Sequence, residues 1–161
     1  MDTVYIETSI VSHATAWPSA NPVVSVLQQQ AREWWATERS KFFLVTSQLV
    51  LDEASLGDHE AASERLKLLA GIPLIPTDQR VEQVAEGLIA RALIPEKARL
   101  DALHVASAAV GGVQFLLTQN CRHIANAHTL PRVYRVLEEL GYPGLLIYTP
   151  AEFLGSIDHD S

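Results

Sequence analysis

The stretch R-L-D-A-L-H-V-A-S-A-A-V-G-G-V-Q-F-L-L-T-Q-N, residues 99–120, decides the fold. Leu100, Leu103, Val105, Ala106, Ala108 and Ala109 make its first half one of the most apolar helices in the chain, with an expected span of about 96–110. Gly111-Gly112 ends that helix, and Gln114 to Leu117 reads as a strand. Thr118-Gln119-Asn120 then terminates the strand. A helix that leads through two glycines into a short apolar strand is half of a βαβ unit, so the neighbouring sequence should repeat the alternation.

It does, in both directions. Toward the N-terminus, Val4-Tyr5-Ile6 reads as a buried strand, followed by a short segment ending at Trp17-Pro18-Ser19. Asn21-Pro22 reads as an N-cap with proline at the first helical position, opening a helix to about Arg39. Phe42 to Val45 reads as a strand, and Thr46 or Ser47 caps a helix ending at Gly57. A helix is expected over 59–70, a strand over 72–75 despite Pro73, and a helix from Thr77 or Asp78 to about Leu93, broken by Pro95. Toward the C-terminus, a short helical turn is expected over 122–125, a helix from Pro131 to Leu140, a strand over 145–148 and a terminal turn from Pro150. The expectation is a single α/β domain over residues 1–161, in three layers. A parallel sheet of about five strands would be covered by helices on both faces.

Bulk composition narrows the function classes. The 161 residues are 48% apolar and 19% charged, the composition of an ordinary globular domain. A domain of about 150 residues buries roughly 68–70% of its unfolded surface, so no staples are needed. Cys121 is the single cysteine and forms no internal disulfide, in keeping with a reducing, cytoplasmic setting. The start M-D-T-V-Y carries an acid where a secretory signal needs bases, and no apolar run reaches the roughly 18 residues of a membrane span. The formal net charge of −7 argues against broad neutralisation of nucleic-acid phosphates, but leaves room for a short contact.

Polar residues recur at equivalent places in the alternation. Glu7 ends the first strand, Asn120 the strand at 114–117. Glu53 lies in L-V-L-D-E-A-S just after the second strand, and Asp101 lies in the apolar helix. Ligands of open α/β sheets bind beyond the carboxyl ends of strands, so these groups can share one cleft. Two unit charges about 4 Å apart repel by roughly 4 kcal/mol at an effective dielectric of 20. A hard divalent ion such as Mg²⁺ or Mn²⁺ relieves that repulsion through oxygen ligands. The bland alternatives are that Glu7 is a turn acid, that Asp101 pairs with Arg99 or caps a loop, that Asp52 rather than Glu53 faces inward, and that Asn120 only makes a turn.

The pieces Y-I-E-T-S, S-Q-L-V-L-D-E-A-S and D-A-L-H-V-A-S-A-A-V-G-G-V-Q-F-L-L-T-Q-N-C-R-H-I-A-N-A, over roughly residues 3–150, resemble the PIN-domain nucleases and in particular the VapC-like toxins of toxin–antitoxin pairs. The resemblance implies a metal-dependent endoribonuclease whose acids bind Mg²⁺ or Mn²⁺, held by a cognate antitoxin and forming a homodimer. Carried over by motif, Glu7, Glu53 and Asp101 are the catalytic acids and, with Asn120, the metal ligands. Ser9 matches the small hydroxyl after the first acid and Thr118 the Thr of the Thr-x-Asn end, as supporting residues. Read from the residues alone, His104, three after Asp101 on the same helix face, either orients Asp101 or fills a half-buried slot, and Arg122 either touches substrate phosphates or is a solvated base. Two departures stand out: Glu7 is one methylene longer than the family's Asp, so either the metal sits farther out or the side chain folds back, and Asn120 is neutral where Asp is common.

Other patterns have competing readings. Cys121, His123 and His128 invite a zinc site but lack an evident fourth ligand. Trp34-Trp35 offers either a stacking platform or, because adjacent helix residues point in different directions, one core residue and one interface residue, with residues 23–35 as the apolar surface for self-association or antitoxin binding. Lys97, Arg99 and Arg122 flank the expected cleft. Three functions remain in play: an RNA-cutting toxin, a PIN-like module that binds RNA or protein without cutting, and a metal phosphoesterase acting on DNA.

Overall fold

A computed structural model describes residues 1–154, so the last seven residues of the expected 1–161 domain lie outside the described part. The chain is α/β. Four strands, β1 (Thr3–Ile6), β2 (Phe43–Val45), β3 (Phe115–Leu117) and β4 (Leu146–Tyr148), form one sheet in the order β2-β1-β3-β4. All pairings are parallel, with Val4 opposite both Leu44 and Phe115, and Leu116 opposite Ile147. The helices are α1 (Thr8–Thr15), α2 (Pro22–Thr37), α3 (Gln48–Ala54), α4 (His59–Leu69), α5 (Gln79–Ala90), α6 (Arg99–Val110), α7 (Leu130–Glu139) and α8 (Pro150–Leu154). Their main packing falls into two groups, α1 with α2, α3 and α4, joined by α8 on α2, and α5 with α6 and α7. Val4, Tyr5, Ile6, Leu116 and Leu117 in the central strands are fully buried, as strands covered on both faces must be.

The expected fifth strand over 72–75 is a correction. It survives only as one parallel bridge, Thr46 to Leu74, with the Thr46 N–H donating to Pro73 O at 3.0 Å and the Ile75 N–H to Thr46 O at 2.9 Å. Pro73 has no N–H to extend a ladder, which limits the pairing. At the other edge, the Ile147 N–H donates to the Tyr134 hydroxyl at 2.8 Å. A side chain from α7 thereby blunts an edge that would otherwise template further strands.

Residues 8–15, part of the short segment to which the sequence assigns no definite element, are helical. They form α1, which starts with no loop after β1 because the Glu7 carboxylate accepts from the Ser9 N–H at 3.1 Å and acts as N-cap. The helix expected to reach Leu93 stops at Ala90, and Ala92 sits at φ 57 in the turn. The glycines after α6 are required. A Cβ on Gly111 would meet Ile75 Cδ1 at 2.9 Å and Ser107 O at 3.0 Å, and Gly112 has φ +70. Trp34 is fully buried and stacks near Phe42, whereas Trp35 is half-buried beneath the Arg39 guanidinium. Trp34 is therefore core. The exposed apolar residues nearby are Trp17, Val23 and Val26.

The strand order places the site. The chain leaves β1 toward β2 on one side and leaves β3 toward β4 on the other. The crevice beyond the carboxyl ends of β1 and β3 is thus the topological switch point, where open α/β sheets bind their ligands.

Candidate functional site

Glu7 follows β1 and Thr118 follows β3, and the two meet across that crevice. The Thr118 hydroxyl donates to Glu7 Oε1 at 2.6 Å, and the Ser9 hydroxyl donates to the same oxygen at 2.5 Å. With the Ser9 N–H on Oε2, the Glu7 carboxylate holds three donors and is only 4% exposed. Its extra methylene lets the side chain fold back onto α1.

Glu53 arrives from α3. Its Oε1 accepts from the Thr8 hydroxyl at 2.8 Å and faces His104 Nε2 at 2.5 Å. Asp52 instead is exposed and bonds Gln48, so the inward acid is Glu53. One ligand-capable atom from each of Glu7, Glu53 and His104 lies within 4.8 Å of the others, and among the described residues no other His, Cys, Asp or Glu set does this. Cys121, His123 and His128 form no such set, so the zinc reading falls.

Asp101, in the first turn of α6, is half-buried and lies outside that tight set, but it shares its field: the charges of Glu53, His104 and His123 all act on it. It does not pair with Arg99, whose guanidinium bridges Glu82 and Glu86. The Asn120 side chain gives Asp101 a hydrogen bond. The Asn120 side-chain Oδ1 accepts from the His123 N–H at 3.0 Å, and the Asn120 backbone N–H donates to the Thr118 hydroxyl at 3.0 Å. Asn120 therefore makes its turn and also touches the acid cluster. Arg122 is exposed and makes no hydrogen bond or ion pair to the cluster among the described residues.

A buried chain behind the cluster was not visible in the sequence. Ser47 Oγ lies 2.7 Å from the Tyr5 hydroxyl, which lies 2.8 Å from His104 Nδ1. All three residues are fully buried. Burial pushes the Tyr5 phenol far above its ordinary range, so it remains a donor at neutral pH. Tyr5 donates to a neutral His104, or accepts from a protonated one. In both states Nε2 must carry a proton, because the Glu53 carboxylate opposite it only accepts. His13 and Gln119 were also missed as neighbours. His13 Nδ1 lies 2.5 Å from Gln119 Oε1, while the Gln119 amide donates to Leu27 O at 2.9 Å and its N–H to the Ser9 hydroxyl at 2.8 Å.

The electrostatics follow from crowding. Burial works against the charged form of His104, but the Glu53 bond and the charges of Glu7, Glu53 and Asp101 outweigh it and raise its pKa. Burial also works against ionised Glu53, yet the His104 and Thr8 hydrogen bonds and the His104 charge hold its pKa below the ordinary value. For Asp101 burial wins over the Asn120 bond, and its pKa is raised. These shifts fix a pH dependence. The His104 contribution to stability is fully present below its ordinary pKa of 6.5 and fades as pH rises through the raised folded value. The Glu53 contribution is present above 4.5 and fades as pH falls through the lowered one. The ionisation of Asp101 adds a loss of stability as pH rises above 3.8 toward its own raised value. Thermal melts in chelator should therefore give a midpoint that is highest in mildly acidic buffer and declines above about pH 6.5. A midpoint that is flat or rises between about pH 6.5 and 8 contradicts this charge arrangement.

No protein-family model and no curated protein matches the chain. The donor set must speak for itself. Glu7, Glu53 and Asp101 offer only oxygen, and no lysine or arginine among the described residues forms an ion pair with any of them. Glu53 Oε2 has no hydrogen-bond partner among the described residues, although Oε1 has two. A cluster of this kind, balanced only by one histidine, fits a hard divalent cation.

Proposed function

We propose that this protein is a metal-dependent endoribonuclease of the PIN-like, VapC-like kind. The observation that carries the reading is the approach of Glu7 and Glu53 at the switch point of the sheet, with Asp101 in the same field and no lysine or arginine pairing with them. Glu7, Glu53 and Asp101 would hold Mg²⁺ or Mn²⁺, with Asn120 beside them as a neutral ligand or as the partner that orients Asp101. Such an ion supplies an activated water and stabilises a leaving phosphodiester oxygen. The protein's own part is positioning. Ser9 and Thr118 fix Glu7, Thr8 and His104 fix Glu53, and the buried Tyr5–Ser47 pair fixes His104.

A second reading has a specific observation in its favour. Glu7 is already satisfied by three donors and Glu53 Oε1 by two. Carboxylates engaged in this way can serve a PIN-like module that binds RNA or protein without cutting. Incubation of single-stranded and structured RNA with Mn²⁺, with Mg²⁺ and with chelator separates the two readings, and a parallel DNA substrate tests the phosphoesterase alternative. Divalent-dependent cleavage confined to RNA is expected. Intact RNA under all three conditions ends the hydrolase reading.

The VapC-like reading brings with it a cognate antitoxin, a homodimer and a cytoplasmic setting. No helix among the described residues is long and apolar enough to cross a membrane. For the homodimer, the exposed Val23 and Val26 on α2 and Trp17 before it are the apolar surface on offer, since Trp34 is committed to the core. Light scattering of the purified chain should give a dimer mass, and a monomer at high protein concentration would remove the homodimer.

A further inference from the structure

Along the sequence the charges of this chain are segregated in a way the metal site does not use. Between Asp101 and Glu138 there is no acidic residue, while Arg122, Arg132 and Arg135 fall within that interval. All 19 acids of the chain therefore lie outside it, against nine of its 12 lysines and arginines. Outside the interval Lys41, Lys67, Arg80, Arg91 and Arg99 each form an ion pair, Arg39 covers Trp35, Arg65 donates to backbone carbonyls, and Arg32 and Lys97 are scattered exposed cations without an acidic partner among the described residues. Arg122, Arg132 and Arg135 have no acidic partner among the described residues and are exposed.

The fold brings this interval to the acid cluster. The segment after β3 wraps around Asn120, whose backbone carbonyl accepts from the Ile124 and Ala125 N–H groups and whose side-chain Oδ1 accepts from the His123 N–H. β3 and β4 are parallel, so the crossover helix α7 between them starts toward the carboxyl ends of the strands. Val133, Val136 and Leu137 turn inward from α7. Arg132 and Arg135, three residues apart, lie on its outward side, and Arg132 Nη2 reaches back to His128 O at 3.5 Å. The segment that follows the carboxylate cluster thus carries three exposed guanidiniums without an acidic partner among the described residues, one of them two residues past Asn120, and the cluster itself repels polyanions.

We propose that Arg122, Arg132 and Arg135 form a phosphate-binding track that guides a single RNA strand to the carboxylate cluster; the proposal rests on the hydrolase reading for its substrate. Arginine suits the task because its planar fork pairs with phosphate oxygens and stays charged at every physiological pH. The track is short, which reconciles it with a net charge of −7. It provides local grip on a strand and repels nucleic acid elsewhere. An acidic protein segment would match the arginines equally well, but would have no reason to continue into a second cluster of acids. A strand whose phosphate is the reacting group does.

The test is fluorescence anisotropy of a short labelled single-stranded RNA with the full chain in chelator, so that binding is read without cleavage. Wild type is compared with R122Q/R132Q/R135Q and with the three single variants, over a salt series. Each phosphate neutralised on a single strand contributes about 0.7 to the slope of log affinity against log salt, so the triple variant should lose a slope of about 2. Its affinity at about 50 mM salt should fall roughly tenfold or more, while its Mn²⁺-induced thermal shift stays as in wild type. A DNA arm of equal affinity means the track reads phosphate alone, and RNA preference means it also reads the sugar; both support the track. A triple variant that binds like wild type overturns the proposal. So does a wild type that ignores RNA and instead binds a polyglutamate peptide through these arginines. Failure of the two readings is distinguishable. RNA that binds through the track but stays intact in Mn²⁺ removes only the hydrolase, and RNA cut equally well by the triple variant removes only the track.

Discussion

Asp101→Asn should abolish divalent-ion binding and RNA cleavage while leaving the metal-free protein as stable as wild type or more so. The substitution keeps the size of the side chain and can keep the bond to Asn120, through the new carbonyl oxygen. What it removes is one charge from a crowded field. Because burial raises the Asp101 pKa, the ionised carboxylate is a cost to the folded state at neutral pH, and its removal relieves that cost. The same change replaces a carboxylate by a poorer ligand for a hard cation. Substitution of groups that only support a metal ligand costs about 10–100-fold in affinity, so loss of the ligand itself should reach or exceed the upper end of that range. The rival explanation, an ion pair with Arg99, is already excluded by the engagement of Arg99 with Glu82 and Glu86. Melting curves of wild type and variant, with Mn²⁺ and with chelator, read both effects. A variant that melts clearly lower in chelator and keeps the full Mn²⁺ shift ends the metal-ligand assignment of Asp101.

Much of this arrangement was legible in the chain, and the reasons are local. Gly111-Gly112 marks the end of α6 because a Cβ at Gly111 would crowd Ile75 and the Ser107 carbonyl, while Gly112 takes a positive φ that side chains rarely adopt, and glycine is a visible signal. Asn21-Pro22 marked the start of α2 because an Asx cap followed by proline has one dominant meaning, and the Asn21 side chain does accept from the Val23 and Val24 N–H groups. α1 was illegible for the opposite reason. Its cap is a glutamate, a residue not among the favoured N-caps, and it follows β1 without the loop that usually separates a strand from a helix. The fifth strand was over-read because Ile72, Leu74 and Ile75 have strand composition, while the pairing depends on backbone donors that composition does not report.

The site divides in the same way. The acids were visible as polar residues placed where an apolar run should continue. Their supports were not, since a tyrosine inside β1 or a serine before α3 looks like ordinary core and turn material. Folding alone brings Tyr5, Ser47 and His104 into line behind Glu53. The position of His104 three residues after Asp101 points to a helix face shared with that acid. The structure turns it toward Glu53, from a different helix.

That line of buried groups gives the second large effect. His104→Leu should destabilise the metal-free protein by about 1.5–3 kcal/mol near pH 6, the range for a hydrogen bond to a charged group. In a domain of this size that is roughly 2–4 °C in the melting midpoint for each kcal/mol. The leucine fills much of the space but leaves Glu53 Oε1 with Thr8 alone and the Tyr5 hydroxyl with Ser47 alone. His104→Gln should recover part of the loss, because one amide can donate to Glu53 and accept from Tyr5 through its two ends. It should also remove the decline in stability above about pH 6.5, since glutamine does not titrate. The Gln variant further decides how His104 acts. Nε2 faces a carboxylate oxygen at 2.5 Å and so carries a proton, which leaves no lone pair for an ion. As a positioning residue it can be replaced by glutamine with Mn²⁺ affinity kept within about tenfold, below the usual cost of losing a metal ligand's support. A Gln variant that folds normally but no longer binds Mn²⁺ would instead make His104 a direct ligand, released from Glu53 when the ion arrives.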